Sequence, residues 1–149
     1  MNQTNRFTGK TAIVTGGAGG IGTAICQRLA GEGAFVVVTD TNAENAHKVA
    51  ADIVASGGSA IAIPADISSE SACTDLISQA FELRGQIDIL VNNAGIMRRG
   101  NILDISVDDW NDLFAVNINA MFHLCRAALP HMIAGGGGAI VNTASQWGL

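Results

Sequence analysis

The sequence predicts an α/β fold in which five parallel strands form a doubly wound sheet in the order 3-2-1-4-5. Short runs of β-branched and apolar residues alternate along the chain with stretches in which apolar residues recur at helical spacing. The short runs are continuously apolar, as is typical of strands that are buried on both faces of a parallel sheet. Right-handed crossovers between successive strands then place helices on both faces of that sheet.

Five segments fit the pattern of a buried strand, and helical stretches separate them. Glycines follow each helical stretch, at the position where a helix commonly ends. In chain order the predicted strands are Thr11–Thr15, Ala34–Thr39, Ala60–Ile63, Ile87–Val91 and Ala139–Val141.

Four helices are predicted between these strands, because apolar residues share one helical face in each. The fourth, from about Val107 to Ile133, is apolar on most sides, so we expect it to be buried on more than one face, in the core or against another subunit. The first three faces consist of Ile21, Ala24, Ile25 and Leu29; of Ala43, Ala46, Val49, Ala50, Ile53 and Val54; and of Ala72, Cys73, Leu76, Ile77, Ala80 and Phe81.

The composition excludes several classes of protein. The chain has 149 residues, which suffice for one domain, and 48% of them are apolar, which excludes a disordered chain. Its net charge of −5 argues against a nucleic-acid or an anionic-membrane partner. No stretch approaches the ~20 apolar residues of a membrane span. The N-terminal segment lacks the apolar region of a signal peptide.

The cysteines and histidines indicate neither a disulfide framework nor a metal site. The three cysteines, Cys26, Cys73 and Cys125, are far apart in the sequence, and their odd number suggests the reducing environment of the cytoplasm. The histidines lack the spacing of metal ligands, so we expect no bound metal.

The first predicted strand runs directly into a glycine-rich segment, TGGAGGIG, and then into a helix. Glycine permits the positive φ of a tight turn and lets a pyrophosphate approach the backbone and the helix N-terminus. The glycines fit a phosphate-binding loop in two registers. In the first, Gly17, Gly19 and Gly22 spell GxGxxG. In the second, Gly16, Gly20 and Gly22 spell GxxxGxG. The alternative is a strand–helix turn in which glycine serves packing alone.

Asp40 closes the second predicted strand, 18 residues after Gly22. An acidic residue at this place can accept hydrogen bonds from both hydroxyls of an adenosine ribose, and it would repel a 2′-phosphate. No lysine or arginine follows it directly or lies in the glycine-rich segment, which favours NAD over NADP. Alternatively Asp40 caps the next helix, and both roles are compatible if Thr41 or Asn42 is the cap.

Six motifs follow one another along the chain: TGGAGGIG, the strand-ending Asp40, the PAD segment Pro64–Asp66, NNAG at Asn92–Gly95, VNIN at Val116–Asn119 and IVNTAS at Ile140–Ser145. In this order they resemble the short-chain dehydrogenase/reductase family from about Phe7 onward. The resemblance implies a Rossmann fold that binds a nicotinamide cofactor, and an activity on small-molecule alcohols or ketones. It selects the register with Gly16, Gly20 and Gly22 as cofactor glycines, and it places the Ile21 amide near the pyrophosphate.

The same resemblance assigns further cofactor contacts. Asp66 and Ile67 would border the adenine, with the Asp66 carboxylate accepting a hydrogen bond from the exocyclic amine. Asn93, Ala94 and Gly95 would end the fourth strand beneath the cofactor. Without the resemblance, Asp66 is interpreted as an acid at a helix N-terminus and the NNAG segment as a strand-end turn.

Two residues would take part in catalysis if the resemblance holds. The backbone carbonyl of Asn117 would hold a water molecule of a proton relay, and Ser145 would donate a hydrogen bond to the substrate oxygen. From the residues alone, Asn117 can equally make a local helical hydrogen bond, and Ser145 is more typical of a cap.

The sequence departs from the family at its acid–base pair. The family uses a Tyr and a Lys in a YxxxK motif beyond the fifth strand. Residues 1–149 include no tyrosine, and the sequence ends four positions after Ser145. We therefore interpret residues 1–149 as an NAD-binding Rossmann domain that is incomplete at its C-terminus and inactive alone. The alternative is a nucleotide-binding module without catalysis.

We further expect a homo-oligomer that forms through the long helix around Asp108–Ile133. In the family this helix belongs to the subunit interface. Its apolar residues Met121, Phe122, Leu124 and Cys125 would otherwise be uncovered.

Overall fold

Five parallel strands form one sheet in the order β3-β2-β1-β4-β5 in the computed structural model, which describes residues 5–145. The predicted fold class and strand order are thereby confirmed. The strands are β1 Thr11–Thr15, β2 Phe35–Thr39, β3 Ser59–Ala62, β4 Ile89–Asn92 and β5 Ala139–Asn142. The helices are α1 Gly20–Gly31, α2 Ala43–Ala55, α3 Glu70–Arg84, α4 Val107–Phe114 and α5 Ala120–Ala134.

Helices cover both faces of the sheet and create two separate cores. On one face, α3 and α5 pack over Ile13 of β1 and Leu90 of β4. On the other, α1 and α2 pack over Val14 and Val36. All five residues of β1 are buried, as the continuous apolar run of this central strand predicts.

Each core contains one fully buried cysteine. Cys26 lies in the core beneath α1, and Cys73 lies in the core beneath α3. Burial raises the pKa of the Cys26 thiol to about 12 and that of the Cys73 thiol to about 11. Both side chains therefore remain neutral near pH 7 and act as small apolar residues.

The buried face of α1 is shifted by one position along the sequence from the predicted face. Gly22, Cys26 and Ala30 are buried, whereas Ile21 is 69% exposed and Ala24 is also exposed. The predicted Ile25 and Leu29 are half-buried and pack against the same core. The small residues allow α1 to lie close to the sheet, and a larger side chain at position 22 would collide with the loop that precedes the helix. The prediction for α2 is correct at its centre, but Ala43 and Val54 at its ends are exposed.

The predicted long helix is continuous from Val107 to Ala134, but it contains a π-helical turn at Ala115–Asn119 between α4 and α5. Only one stripe of α5 faces the core, and Leu124, which was expected to be uncovered, belongs to it and is fully buried. Among the described residues nothing buries a second face of the helix, and its burial against another subunit stays a prediction. Seven large apolar residues along the helix are exposed: Val107, Trp110, Phe114, Ile118, Phe122, Leu129 and Ile133.

A buried carboxylate fastens the N-terminal segment to the end of α1. The Glu32 side chain is 6% exposed and pairs with both Arg6 and Arg28. The Phe7 amide also donates to the Glu32 carbonyl oxygen at 2.9 Å. The hydrogen bonds from Arg6 and then Arg28 lower the pKa of Glu32 to about 2.

Glu32→Gln is expected to lower the melting temperature at pH 7, with a deficit that shrinks on acidification. The folded-state pKa of about 2 lies below the unfolded value of about 4.3, so the carboxylate stabilises the fold fully above pH ~4.3 and loses this effect as the pH falls toward about 2. Thermal unfolding from pH 7 to pH 3 measures the deficit.

Asp52→Asn is the matched control, because Asp52 forms an exposed ion pair with Lys48 and should matter little at any pH. An equal deficit for Glu32→Gln across the whole pH range would contradict a charge-dependent role for this carboxylate.

Candidate cofactor site

The candidate site lies at the carboxyl ends of the strands, where the order of the sheet reverses between β1 and β4. Two adjoining clefts open there, with about 510 and 720 Å³ of empty space when the open solvent at their mouths is included. They share Gly16, Asp40, Ala94 and Gly95 in their walls. Every residue predicted to contact a cofactor lines at least one cleft: Gly16, Gly20, Ile21, Gly22, Asp40, Asp66, Ile67, Asn93, Ala94 and Gly95.

Two glycines of the loop are required by the protein itself. Gly16 has φ +63°, and a Cβ there would lie 2.9 Å from the Ala94 Cα atom. A Cβ on Gly22 would lie 1.9 Å from the Gly16 carbonyl oxygen. Neither distance is possible without moving the backbone, so these positions hold the loop between β1 and α1 in its tight path.

Gly20 has a different environment. It has no positive φ, and a Cβ built there would meet no described atom within 4 Å apart from its chain neighbours and the backbone of its own helix. Packing therefore does not explain a glycine at this position. Its missing side chain instead leaves the backbone at the start of α1 open to the cleft, as close approach of a ligand would require.

The N-terminus of α1 lacks the side-chain cap that the other loop-to-helix junctions have. Asn42, Ser69 and Ser106 cap α2, α3 and α4 by accepting from a backbone amide in the first turn. Among the described residues, no side chain does this for α1, whose N-cap is Gly19, and its first turn contains no acidic residue. The free first-turn amides and the positive end of the helix dipole together form a site suited to an anion such as a pyrophosphate.

Asp40 lies across the cleft from this helix end. Its Oδ2 accepts from the Ala18 amide at 3.1 Å, and its Oδ1 accepts from the Asn42 amide at 3.0 Å. Because Asn42 caps α2, Asp40 is not the helix cap, and its half-buried carboxylate faces the cleft. No lysine or arginine is among the residues that line either cleft.

The end of β4 is joined to the end of β1 by side-chain hydrogen bonds. The Thr15 hydroxyl accepts from the amides of Asn93 and Ala94, each at 3.1 Å. The Asn93 side chain donates to the carbonyl oxygens of Thr15 and Gly16 at 3.1 and 3.3 Å. The NNAG segment therefore positions the glycine-rich loop as well as ending a strand. Thr15 was not predicted to be a site residue, although its place at the end of the strand was a usable signal.

Asn117 lies in the π turn and contacts the segment that follows β4. Its Oδ1 accepts from the Ile96 amide at 2.8 Å, and its Nδ2 donates to the Ile96 carbonyl oxygen at 2.9 Å. The side chain thus makes long-range contacts, and the local helical hydrogen bond considered from sequence is not formed by it. The π turn itself carries no evident sequence signal, yet such turns are frequent at functional sites.

The remaining predicted site residues lie at the same edge of the sheet. Asp66 accepts from the Ser68 amide at 3.0 Å and leaves the cap of α3 to Ser69. Ser145 follows the end of β5 and is exposed. Arg98, in the loop beyond the clefts, forms an ion pair with Asp109 at 2.9 Å, which ties this loop to α4.

Residues 5–145 contain neither a helix able to span a membrane nor a cluster of metal ligands. None of the helices there combines the length and apolar character needed to cross a bilayer. No three His, Cys, Asp or Glu side chains in this part of the chain are grouped so that they could hold a metal ion.

Comparison with known proteins identifies the class to which this fold and site belong. The family model described as short chain dehydrogenase matches residues 10–149. The chain is a member of the short-chain dehydrogenase/reductase family, whose members are oxidoreductases that bind nicotinamide cofactors.

Individual relatives agree with this assignment. The chain is 41% identical over 145 residues to a 2,5-dichloro-2,5-cyclohexadiene-1,4-diol dehydrogenase of Sphingobium indicum, and it covers 97% of itself and 58% of that protein. It is 39% identical to the meso-2,3-butanediol dehydrogenase of Serratia marcescens over 144 residues, covering 97% of itself and 56% of the relative. The chain thus spans little more than half the length of these relatives.

Solved structures show the same fold. A metagenomic short-chain oxidoreductase in complex with NADP superimposes with a TM-score of 0.90 at 38% identity, over 93% of this chain and 63% of the other. A hydroxysteroid dehydrogenase from Escherichia coli gives a TM-score of 0.88 at 37% identity, over 95% and 63% of the two chains.

Gly22→Ala and Gly20→Ala should differ sharply in stability. The new methyl group at position 22 would collide with the Gly16 carbonyl, which should destabilise the fold by about 1–3 kcal/mol. At position 20 it meets no described protein atom, and the higher helix propensity of alanine should leave stability unchanged or raised by up to about 1 kcal/mol. Urea unfolding of both variants measures the difference, and equal losses would show that packing explains Gly20 after all.

Proposed function

We propose that residues 1–149 form the NAD-binding Rossmann domain of an oxidoreductase that transfers a hydride between the nicotinamide and a small-molecule alcohol or ketone. The observation that carries the proposal is the N-terminus of α1, which has no side-chain cap and begins at Gly20, where the absence of a side chain leaves the backbone open to the cleft. The Asp40 carboxylate lies across the same cleft. The relatives, which are dehydrogenases of a cyclohexadienediol and a butanediol, support an alcohol as substrate. The unpaired cysteines favour a cytoplasmic location.

The clefts suggest how the cofactor is held. The amides around Gly20 and Ile21 would bind the pyrophosphate, with Gly16 and Gly22 keeping the loop in place. The spare lone pairs of Asp40 would accept from the ribose hydroxyls. Asp66 and Ile67 would border the adenine, and Asn93, Ala94 and Gly95 would form the floor.

When bound, the nicotinamide supplies or accepts the hydride. The chain's own contribution to the chemistry is positioning. We assign the Asn117 backbone carbonyl to hold a relay water and the Ser145 hydroxyl to donate to the substrate oxygen. Because residues 1–149 include no tyrosine, they offer no phenol for the proton transfer, and we expect them to show no turnover with a panel of alcohols.

NAD is the favoured cofactor for an electrostatic reason. A 2′-phosphate would lie against the Asp40 carboxylate, and the clefts have no lysine or arginine in their lining to neutralise it. The structural relative in complex with NADP has a similar fold, so the choice between the two cofactors rests on these local side chains.

Calorimetric titration should show NADH binding tighter than NADPH by about tenfold or more, because of the repulsion at Asp40.

Gly20→Ala should lower the affinity for both cofactors by about tenfold while keeping wild-type stability, since its methyl group would occupy the space of the pyrophosphate. Equal affinities of the unmutated protein for NADH and NADPH would contradict the proposed preference, and wild-type NADH affinity in Gly20→Ala would contradict the proposed pose.

The exposed apolar side of the long helix suggests the second part of the proposal, a homo-oligomer formed through Asp108–Ile133. The Phe122 and Ile133 side chains are 59% and 74% exposed, and the pair Trp110 and Phe114 continues the same surface onto α4. A second copy that covers this surface would remove a large apolar area from water.

Sedimentation should therefore show self-association at tens of micromolar protein, and Phe122→Glu should shift the population toward the monomer. Val54→Glu is the matched control, because Val54 is similarly exposed at 54% but lies on α2. A single monomeric species for the unmutated protein would contradict the proposed interface.

A further inference from the structure

The Asp40 carboxylate is already engaged by the protein on both of its oxygens. Oδ2 accepts from the Ala18 amide, in the middle of the glycine-rich loop, and Oδ1 accepts from the Asn42 amide. The first contact joins residues that are 22 positions apart in the chain. It therefore links the end of β2 to the loop rather than shaping the turn in which Asp40 lies.

Among residues 5–145, the loop has few other hydrogen-bond partners outside itself and α1. The Gly17 amide donates to the Thr39 carbonyl oxygen at 2.9 Å, and the Asn93 side chain donates to the Gly16 carbonyl oxygen at 3.3 Å. Beyond these contacts at its entry, the Asp40–Ala18 hydrogen bond holds the part of the loop that leads to Gly20.

The two functions of this carboxylate are compatible. A carboxylate offers about four lone-pair sites, and the two backbone amides occupy two of them. One site remains on each oxygen, which suffices for two ribose hydroxyls. A hydrogen bond to an ionised acceptor is also stronger than one between neutral groups, so a single contact can matter for a short loop.

We propose that Asp40 is a positioning residue for the glycine-rich loop, holding Ala18 and hence the pyrophosphate-binding backbone in place before any cofactor arrives. The consequence for cofactor binding rests on the function proposed above. Asp40 then contributes to affinity twice, through the adenosine ribose and through the loop. Removing the Asp40 carboxylate should therefore lower the affinity for NADH by more than the loss of the ribose contacts alone would. For NADPH, the loss of loop positioning should cancel part of the affinity gained when the repulsion of the 2′-phosphate disappears.

Amide hydrogen exchange in the ligand-free protein tests the positioning role directly. In Asp40→Ala, the Ala18 amide should exchange about tenfold faster, since it loses its acceptor. Amides of the central strands, such as that of Val37, should keep their wild-type rates and thereby show that the fold is intact. Wild-type exchange at Ala18 in this variant would overturn the proposal.

Two further variants sharpen the result. Asp40→Asn has one carbonyl oxygen for two amides, so at least one of Ala18 and Asn42 should exchange faster; wild-type rates at both would count against the proposal. Asp66→Asn is the matched control, because it removes a charge from the same cleft and, among the described residues, its carboxylate accepts from the nearby Ser68 amide alone. Faster exchange at Ala18 in Asp66→Asn would attribute the effect to charge and overturn the positioning role.

A second measurement separates the two contributions to binding. The probe is an NADH analogue whose adenosine ribose lacks both hydroxyls. If Asp40 also positions the loop, Asp40→Ala should bind this analogue about threefold or more weakly than the unmutated protein. Unchanged or tighter binding would show that Asp40 acts through the hydroxyls alone. Failure of the unmutated protein to bind NADH would instead refute the proposed function. The exchange rate at Ala18 would still test whether Asp40 positions the loop.

Discussion

The close approach of α1 to the ends of β1 and β4 is the constraint on which the rest of the site depends. A Cβ on Gly22 would lie 1.9 Å from the Gly16 carbonyl oxygen, so the helix can begin where it does only if position 22 has no side chain. Cys26 and Ala30 continue the same buried stripe with small residues. The consequence is that the positive end of α1 lies at the reversal of strand order, with Gly20 and Ile21 facing open space.

Polar side chains then fix the neighbouring segments by binding backbone rather than one another. Thr15 and Asn93 join the end of β4 to the loop, and Asn117 binds both backbone groups of Ile96. Such contacts hold peptide groups in place whatever the adjacent side chains are. The chain's own hydrogen bonds therefore fix the geometry of the clefts, so a bound cofactor would have to order little of it.

The sequence was sufficient for the features that depend on residue type and spacing. Continuous apolar runs located every strand to within two residues, and the glycine, Asp40 and NNAG motifs located the edge of the sheet where the clefts lie. It was insufficient where tertiary packing decides. Helical periodicity alone left the face of α1 uncertain by one residue, so Ile21 was assigned to a core that Gly22 occupies. The π turn and the partner of Asn117 depend on how α4 meets the segment after β4, which local sequence does not encode.

The central claim is that this edge of the sheet binds a dinucleotide with its pyrophosphate on α1 and its adenosine ribose on Asp40. A crystal structure of the protein with NADH tests it most directly. We expect electron density for the pyrophosphate against the amides of Gly20 and Ile21, and for a ribose with its hydroxyls within hydrogen-bonding distance of the Asp40 carboxylate. Density for the dinucleotide elsewhere on the molecule, or clefts that stay empty of it at saturating NADH, would contradict the account.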